Sequence, residues 1–292
     1  MLVIGGDPTV NQLIRGALIS MGQPQDAIVA IDWAKTPKDF DAYSPKILLR
    51  FEGPTSSPLS YTSKYVGKFD RVLDVGSSHL IPWPVSEQNF KHVKQNVRKC
   101  EASMILGNKL SFSATEQYSL RRRLCLDSTV AARGTGWGAH LGQKLVVLAK
   151  TFVIGMFAQN LDLRAGRYWL RRFPNSASPV KDKWSCASKY RVALVIENDT
   201  SRVTEKLFDA LAAGCRVVYV GASLDGINNE ILERVQVCAP DFYKIKQALK
   251  TALEEEWVPP SEGHISALKF HYDSATGVFL NYLSSEISSA RN

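Results

Sequence analysis

The sequence predicts an α/β fold built on mostly parallel sheets and divided into two domains. Three observations carry this. Strand-like apolar runs alternate with helical ones along nearly the whole chain. The 292 residues are 45% hydrophobic, enough for a sizeable core and for two domains of ordinary size. The stretch KYRVALVIENDTSRVTEKLFDALAAGCRVVYVG, residues 189–221, reads as a buried strand, a polar loop, a helix and a second buried strand.

Taken in order, residues 2–6 read as a strand and 9–20 as a helix. Strands follow at 27–33, 46–51 and 71–75, then a helix at 86–99. A second series opens with a strand at 102–106, a basic helix around 118–126 and an apolar run at 130–133. A longer apolar run, 144–157, is interrupted by Lys150 and reads as core. No run approaches the roughly 20 apolar residues needed to span a bilayer. Strands at 192–196 and 216–220 flank the next helix, with Gly214 placed to end it. Helices at 227–235 and 242–256, a Pro259–Pro260 break and a last helix at 266–288 complete the chain. The expected division is 1–100, 101–265 and a returning helix in 266–292, with the boundary near residues 98–102.

Composition narrows the function classes. There are 36 basic against 28 acidic residues, a net charge of +8. That balance suits phosphate-bearing ligands, nucleic acid or an acidic membrane surface. No RNP-like or helix-turn-helix signature directs it to nucleic acid. The five cysteines are scattered, odd in number and without CxxC spacing, which argues against a disulfide framework or a zinc site and for a reducing compartment. MLVIGGDP at the start reads as a strand and turn with no basic signal-peptide region. A soluble, cytoplasmic protein is the expectation. The histidines show no HxH or HExxH spacing, so no metal site is expected. Asp39–Phe40–Asp41 reads as a solvated turn rather than a metal-holding pair.

The candidate site lies where strand 192–196 runs out onto Glu197 and Asn198. Asp199, Thr200 and Ser201 stand ready to cap a helix carrying Thr204, Glu205 and Lys206 in its first turn. Ligands of open α/β sheets bind outside the carboxyl ends of strands, and helix N-termini attract phosphate. The helix dipole disfavours a first-turn lysine, so Lys206 points to an anionic ligand such as a nucleotide diphosphate. Arg121, Arg122 and Arg123 form a basic cluster, and a guanidinium fork grips phosphate bidentately. Three successive helical positions point in different directions, so at least one of them is expected to be merely solvated. Gly134, Gly136 and Gly138 read as a turn.

Residues 196–221, IENDTSRVTEKLFDALAAGCRVVYVG, resemble the signature of the α1,3-type fucosyltransferases, glycosyltransferase family 10. There an E-N pair is followed by T-E-K-L and an A-L-x-A-G stretch. FEGP at 51–54 resembles the family's E-S-P motif, and KFDRVLDVGSSHLIPWP at 68–84 its F-D segment leading to S-x-I-P-x-P. SMILGNKLSFSATEQYSLRRRL at 103–124 is similar to the strand, S-N turn and arginine-bearing helix that open its donor domain. RGTGWG at 133–138 resembles its Y-G-x-G-W turn. The sequence departs from the pattern at three places. Arg202 stands where the family has an aromatic residue, Gly107–Asn108 replaces S-N, and Gly53 replaces the serine of E-S-P. DALAAGC also resembles the exostosin-type transferases, which use UDP-sugars.

The resemblance implies a GT-B fold, two Rossmann-like domains facing a cleft. It implies an inverting, metal-independent transfer of a sugar from a nucleotide-diphosphate donor to a glycan hydroxyl. The donor it implies is GDP-fucose; a UDP-sugar such as UDP-xylose is the alternative, and a non-enzymatic basic binding protein the third reading. Glu52 would act as general base, with Lys206 and Arg121 stabilising the leaving diphosphate. Glu205 would hold ribose or sugar hydroxyls, and Glu197, Asn198, Arg202 and Thr204 would complete the donor site. Neither a nucleic-acid partner nor a metal is implied.

Overall fold

The computed structural model describes residues 1–291 apart from 7, 53–56, 76–89, 91–92, 94–97, 114–115, 138, 157–161, 167, 178–179 and 199–202. The chain divides into two compact units, Met1–Val85 with Lys269–Asn292, and Ser86–Leu268.

The first unit holds a four-stranded parallel sheet in sequential order. Its elements are β1 (Leu2–Gly5), α1 (Pro8–Ser20), β2 (Ile28–Ile31), β3 (Lys46–Arg50), the short α2 (Ser63–Val66) and β4 (Arg71–Asp74). The register pairs Leu2 with Ile28, Ile28 with Lys46, and Ile47 with Arg71. IVAI of β2 is buried at every position, as a strand covered on both faces must be.

The second unit holds a six-stranded sheet. It comprises β5 (Lys99–Ile105), α3 (Tyr118–Leu124), β6 (Val130–Arg133), α4 (Leu141–Met156), β7 (Ser176–Ala177), α5 (Lys183–Ala187), β8 (Tyr190–Ile196), α6 (Glu205–Ala212), β9 (Arg216–Val220), α7 (Asn229–Leu232), β10 (Val235–Val237) and α8 (Phe242–Glu254). The spatial order is β10-β9-β8-β5-β6-β7, with every pair parallel. Counted from β5, this is the doubly-wound order in which the chain runs outward one way, returns beside its first strand and runs outward the other way. The switch point falls between β5 and β8. Met104, Val192, Leu194 and Val218 share a core there with Ile245 and Leu249 of α8.

The last helix, α9 (Glu262–Arg291), contributes residues to both units. Its Phe279, Leu283 and Ile287 lie in one core with Ile14, Leu18, Val29 and Leu49. Gln23 donates to the Ser284 hydroxyl at 2.7 Å beside them.

Three expectations need correction or comment. The helix anticipated at 227–235 is only the single turn α7, because Asn228 caps it by accepting from the Glu230 N–H at 2.8 Å. Val235–Val237 then pairs with β9 as a strand. The helix anticipated at 86–99 falls mostly outside the described residues, and Lys99 at its end opens β5. Residues 144–156 of the run expected to be core belong to α4, which exposes several of its described apolar residues. Leu145, Val146 and Val153 are 48%, 55% and 50% exposed, while Lys144 is 4% exposed. The lysine takes the inward place because its Nζ donates to the Arg171 carbonyl at 2.7 Å and lies 5.4 Å over the Phe173 ring.

Candidate functional site

The carboxyl end of β8, at the switch point, places Glu197 and Asn198 beside the N-terminus of α6. Glu197 is fully buried, and its backbone N–H donates to the Val220 carbonyl at 2.8 Å, extending the pairing of β8 with β9. Its carboxylate receives three donors. The Thr204 N–H reaches Oε1 at 2.9 Å, and the Thr204 hydroxyl reaches Oε2 at 2.7 Å. The Lys206 ammonium reaches Oε2 at 3.3 Å, and also donates to the Thr204 hydroxyl at 2.6 Å. Glu205 Oε1 lies 3.9 Å from the same ammonium.

This corrects the first inference drawn from Lys206. The negative charge that offsets the dipole penalty on a first-turn lysine is already supplied by Glu197. Capping is also arranged differently. Residues 199–201, expected to cap α6, lie outside the described residues, and the N-cap is Thr204 in an extended conformation. Its hydroxyl is turned to Glu197 and makes no capping hydrogen bond. The opening turn of α6 therefore carries N–H groups without a side-chain cap, next to an ammonium held at a fixed place. Helix N-termini of this kind attract anions in general.

Arg121 closes the same end of β8 from α3. It is 2% exposed, donates to the Ile196 carbonyl, and reaches the Asn198 Oδ1 at 3.0 Å. The Asn198 carbonyl accepts from the Gln117 N–H at 3.1 Å. Arg121 and Lys206 are thus tied to consecutive residues of the strand end.

The expectation that one of the three arginines is merely solvated fails. Arg122 is fully buried, donates to the Lys109 carbonyl at 2.8 Å and faces the Trp169 ring at 5.6 Å. Burial draws its pKa down to about 10, against the pull of Glu116. Burial likewise pushes the Glu116 carboxyl above its ordinary range. Arg123 is half-buried and stacks 3.9 Å over Phe242 of α8. The α3 helix can spend its charges inward because each guanidinium meets a carbonyl, an amide oxygen or an aromatic face.

The glycine-bearing turn after β6 packs against the turn after β5. Asn108 N–H donates to the Thr135 carbonyl at 2.8 Å, and Trp137 Nε1 donates to the Leu106 carbonyl at 2.8 Å. The turn reading of Gly134 and Gly136 holds, and Gly138 lies outside the described residues.

Glu52 belongs to the first unit, two residues beyond β3 and half-buried. Its N–H and that of Phe51 both donate to Asp32 Oδ1 at 3.0 Å. The Tyr61 hydroxyl donates to the Glu52 carbonyl at 3.1 Å. Asp32 adopts a left-handed conformation, φ +52°, at the end of β2. The carboxyl ends of β2 and β3 are thereby clamped, and the Glu52 backbone is fixed in place.

Arg202 lies outside the described residues, as do Gly53, Pro54 and residues 76–84 of the resembling segments. The Asp39–Phe40–Asp41 stretch is a short 3-10 turn with Phe40 buried and both aspartates exposed. Among the described residues, no group of three His, Cys, Asp or Glu side chains is placed to hold a metal ion. No described helix is long and apolar enough to cross a membrane.

Two residues, one beside the predicted positions in each unit, escaped sequence reasoning. Gly221 follows β9, and a Cβ there would lie 2.3 Å from the Tyr219 hydroxyl and 2.7 Å from Glu197 Cγ. Only glycine admits that approach. Tyr219 is fully buried, and burial with the Glu197 carboxylate beside it raises its pKa. Asp32 is the second. Its only signal in the sequence is an aspartate directly after the apolar run IVAI.

No protein-family model matches the chain, and no curated protein matches it. Among solved structures the chain is similar to HepE from Anabaena in complex with UDP and glucose, at 12% identity and TM-score 0.48, covering 96% of this chain and 83% of that one. It is similar to AviGT4, a glycosyltransferase involved in avilamycin A biosynthesis, at 11% identity and TM-score 0.45 over 97% of each chain. It is similar also to WaaG, a glycosyltransferase involved in lipopolysaccharide biosynthesis, at 11% identity and TM-score 0.40, over 98% of this chain and 85% of that one. With every score below 0.5, these likenesses decide nothing about this chain's chemistry. The fold class read from the sequence is observed as an α/β chain of two units, each built on a parallel sheet.

Proposed function

We propose that this chain is an inverting glycosyltransferase that uses a nucleotide-diphosphate sugar and a glycan hydroxyl. The observation that supports this most is the Glu197–Thr204–Lys206 arrangement at the switch point of the second sheet. It presents an ammonium and uncapped N–H groups where an open α/β sheet takes its ligand.

In this reading, the acceptor oxygen attacks the anomeric carbon from the face opposite the diphosphate. Glu52 accepts the hydroxyl proton, the bond from the anomeric carbon to the diphosphate oxygen breaks, and the nucleoside diphosphate leaves. Lys206 and the first turn of α6 stabilise the charge that develops on the leaving group, often the largest catalytic contribution. Arg121 and Asn198 hold the floor of the site, Glu205 holds ribose or sugar hydroxyls, and the resemblance adds Arg202 to the donor-binding residues. The acceptor side would occupy residues 1–100 and the donor side 101–265, with the returning helix in 266–292. No metal is needed, because the positive groups neutralise the diphosphate.

The sequence resemblance favours GDP-fucose. A UDP-sugar is the second reading, carried by Arg202 at the family's aromatic position and by the DALAAGC stretch. A thermal-shift panel of GDP, GDP-fucose, UDP, UDP-xylose and UDP-glucose without added metal separates them. A ligand at 100 times its dissociation constant adds about 2.7 kcal/mol. Stabilisation by the GDP pair alone supports fucose, and by the UDP species alone supports the second reading. Silence across the whole panel overturns the proposal.

A further inference from the structure

Helix α4 is folded inside out. Its burial faces Lys144, which is locked by the Arg171 carbonyl, the Phe173 ring and the Trp169 Nε1–H that donates to its own carbonyl at 2.8 Å. Most of the large side chains it exposes are apolar, with Gln143 and Lys150 exposed beside them. Leu141, Leu145 and Phe152 recur at intervals of four and seven residues, and Val146 and Val153 at seven, so they form two adjoining rows along the helix. The segment at 162–172 extends the apolar surface. The Asp162 N–H donates to the Phe112 carbonyl, and the Phe112 ring meets Phe152 edge-on at 6.0 Å. Leu163 and Leu170 of that segment are exposed as well. Rows of exposed apolar side chains along a helix mark an interaction surface.

We propose that α4 and the 162–172 segment form a docking face for an anionic lipid surface. The charge around the face selects this occupant. Among the described residues of 139–172, Lys144 is turned inward, Arg164 is paired with Asp162 at 3.0 Å, and Lys150, Arg171 and Arg172 add positive charge. Lys150, Arg164, Arg171 and Arg172 are exposed. A second copy meeting this face through a two-fold axis would set the same excess of positive charge against itself. An anionic headgroup layer complements it, each nearby Lys or Arg contributing about 1 kcal/mol. At 16 residues, α4 is about 24 Å long, and it would lie in the interface with its apolar rows among the acyl chains.

The test uses the whole chain in vesicle flotation. Vesicles of phosphatidylcholine with about a third phosphatidylglycerol should bind it roughly tenfold or more tightly than phosphatidylcholine alone. The difference should vanish near 1 M salt, where the Debye length is about 3 Å. Leu145→Ser/Val146→Ser/Val153→Ser should retain the wild-type melting temperature and lose binding by about tenfold or more. Arg171→Gln/Arg172→Gln, which leaves the apolar rows intact, should weaken binding to the acidic vesicles alone. Equal partitioning of wild type and the serine variant overturns the proposal. So does absence of vesicle binding together with a dimer in sedimentation velocity that the serine variant abolishes.

Discussion

The Lys206 ammonium lies 3.3 Å from the buried Glu197 carboxylate, and the Thr204 hydroxyl bridges the two, donating to one and accepting from the other. Glu197 is therefore the organiser of the α6 N-terminus. Removing its charge leaves Lys206 and the Thr204 N–H facing an amide. Glu197→Gln is expected to lower stability by about 2–4 kcal/mol in denaturant unfolding, as breaking a largely buried pair does.

Lys206→Ala removes the cation that would meet the diphosphate. Nucleotide binding by calorimetry is expected to weaken by about 2–4 kcal/mol, with transfer lost, because electrostatic groups of this kind act chiefly on the leaving group. Retention of full donor affinity in a folded variant would exclude Lys206 from the site.

Glu52→Gln keeps the backbone clamp on Asp32, since both clamping donors are main-chain N–H groups. Turnover is expected to fall by a factor on the order of 10² to 10⁴ with nucleotide affinity unchanged. Steady-state kinetics alongside a binding isotherm read the two quantities separately. A collapse of nucleotide affinity would remove Glu52 from the role of base.

Gly221→Ala forces a methyl group to within 2.3 Å of the Tyr219 hydroxyl and 2.7 Å of Glu197. The expected loss is about 1–3 kcal/mol of stability, with a matching loss of nucleotide affinity because Glu197 must move. An unchanged melting temperature would contradict the tight packing behind β9.

His264 sits buried at the start of α9, its ring Nδ1 bonded to the Glu230 carbonyl at 2.8 Å. Burial, reinforced by Arg234, holds its pKa below the ordinary 6.5. The unfolded chain then takes up a proton that the folded one refuses. Stability should fall as pH drops from 6.5 toward the folded pKa, by about 1.4 kcal/mol for each unit of separation. His264→Asn keeps a donor for the carbonyl and does not titrate. It should lose less melting temperature than wild type between pH 7 and pH 5.

Strands were the most legible part of this chain, because runs such as VAAR and RVVYV are short, apolar and edged by arginine. The structure places both where the sequence does, at Val130–Arg133 and Arg216–Val220. Short elements were illegible. Residues 227–235 look continuously helical, yet Val235–Val237 leaves the helix to pair with β9, a choice that depends on that strand lying beside it. Helix α4 shows the deeper limit. Hydropathy assigns its valines to the core, and only the partners of one lysine, more than 20 residues away in the chain, reverse the burial. Near the candidate site, the pattern located the end of β8 and the start of α6. It gave no sign that Thr204 turns its hydroxyl away from the helix, since the choice between capping a helix and bridging a carboxylate depends on β8 being beside it.

The membership of Phe279, Leu283 and Ile287 in the core of the first unit fixes an order of events during synthesis. Residues 86–268 are contiguous and can complete their packing as soon as they emerge. Residues 1–85 are synthesised before them, yet lack three large side chains, each worth about 1.5–3 kcal/mol of burial, until residue 287 has emerged. The core of the first unit is thus completed after that of the second, and nascent-chain proteolysis should find residues 1–85 cleavable until translation has passed position 287.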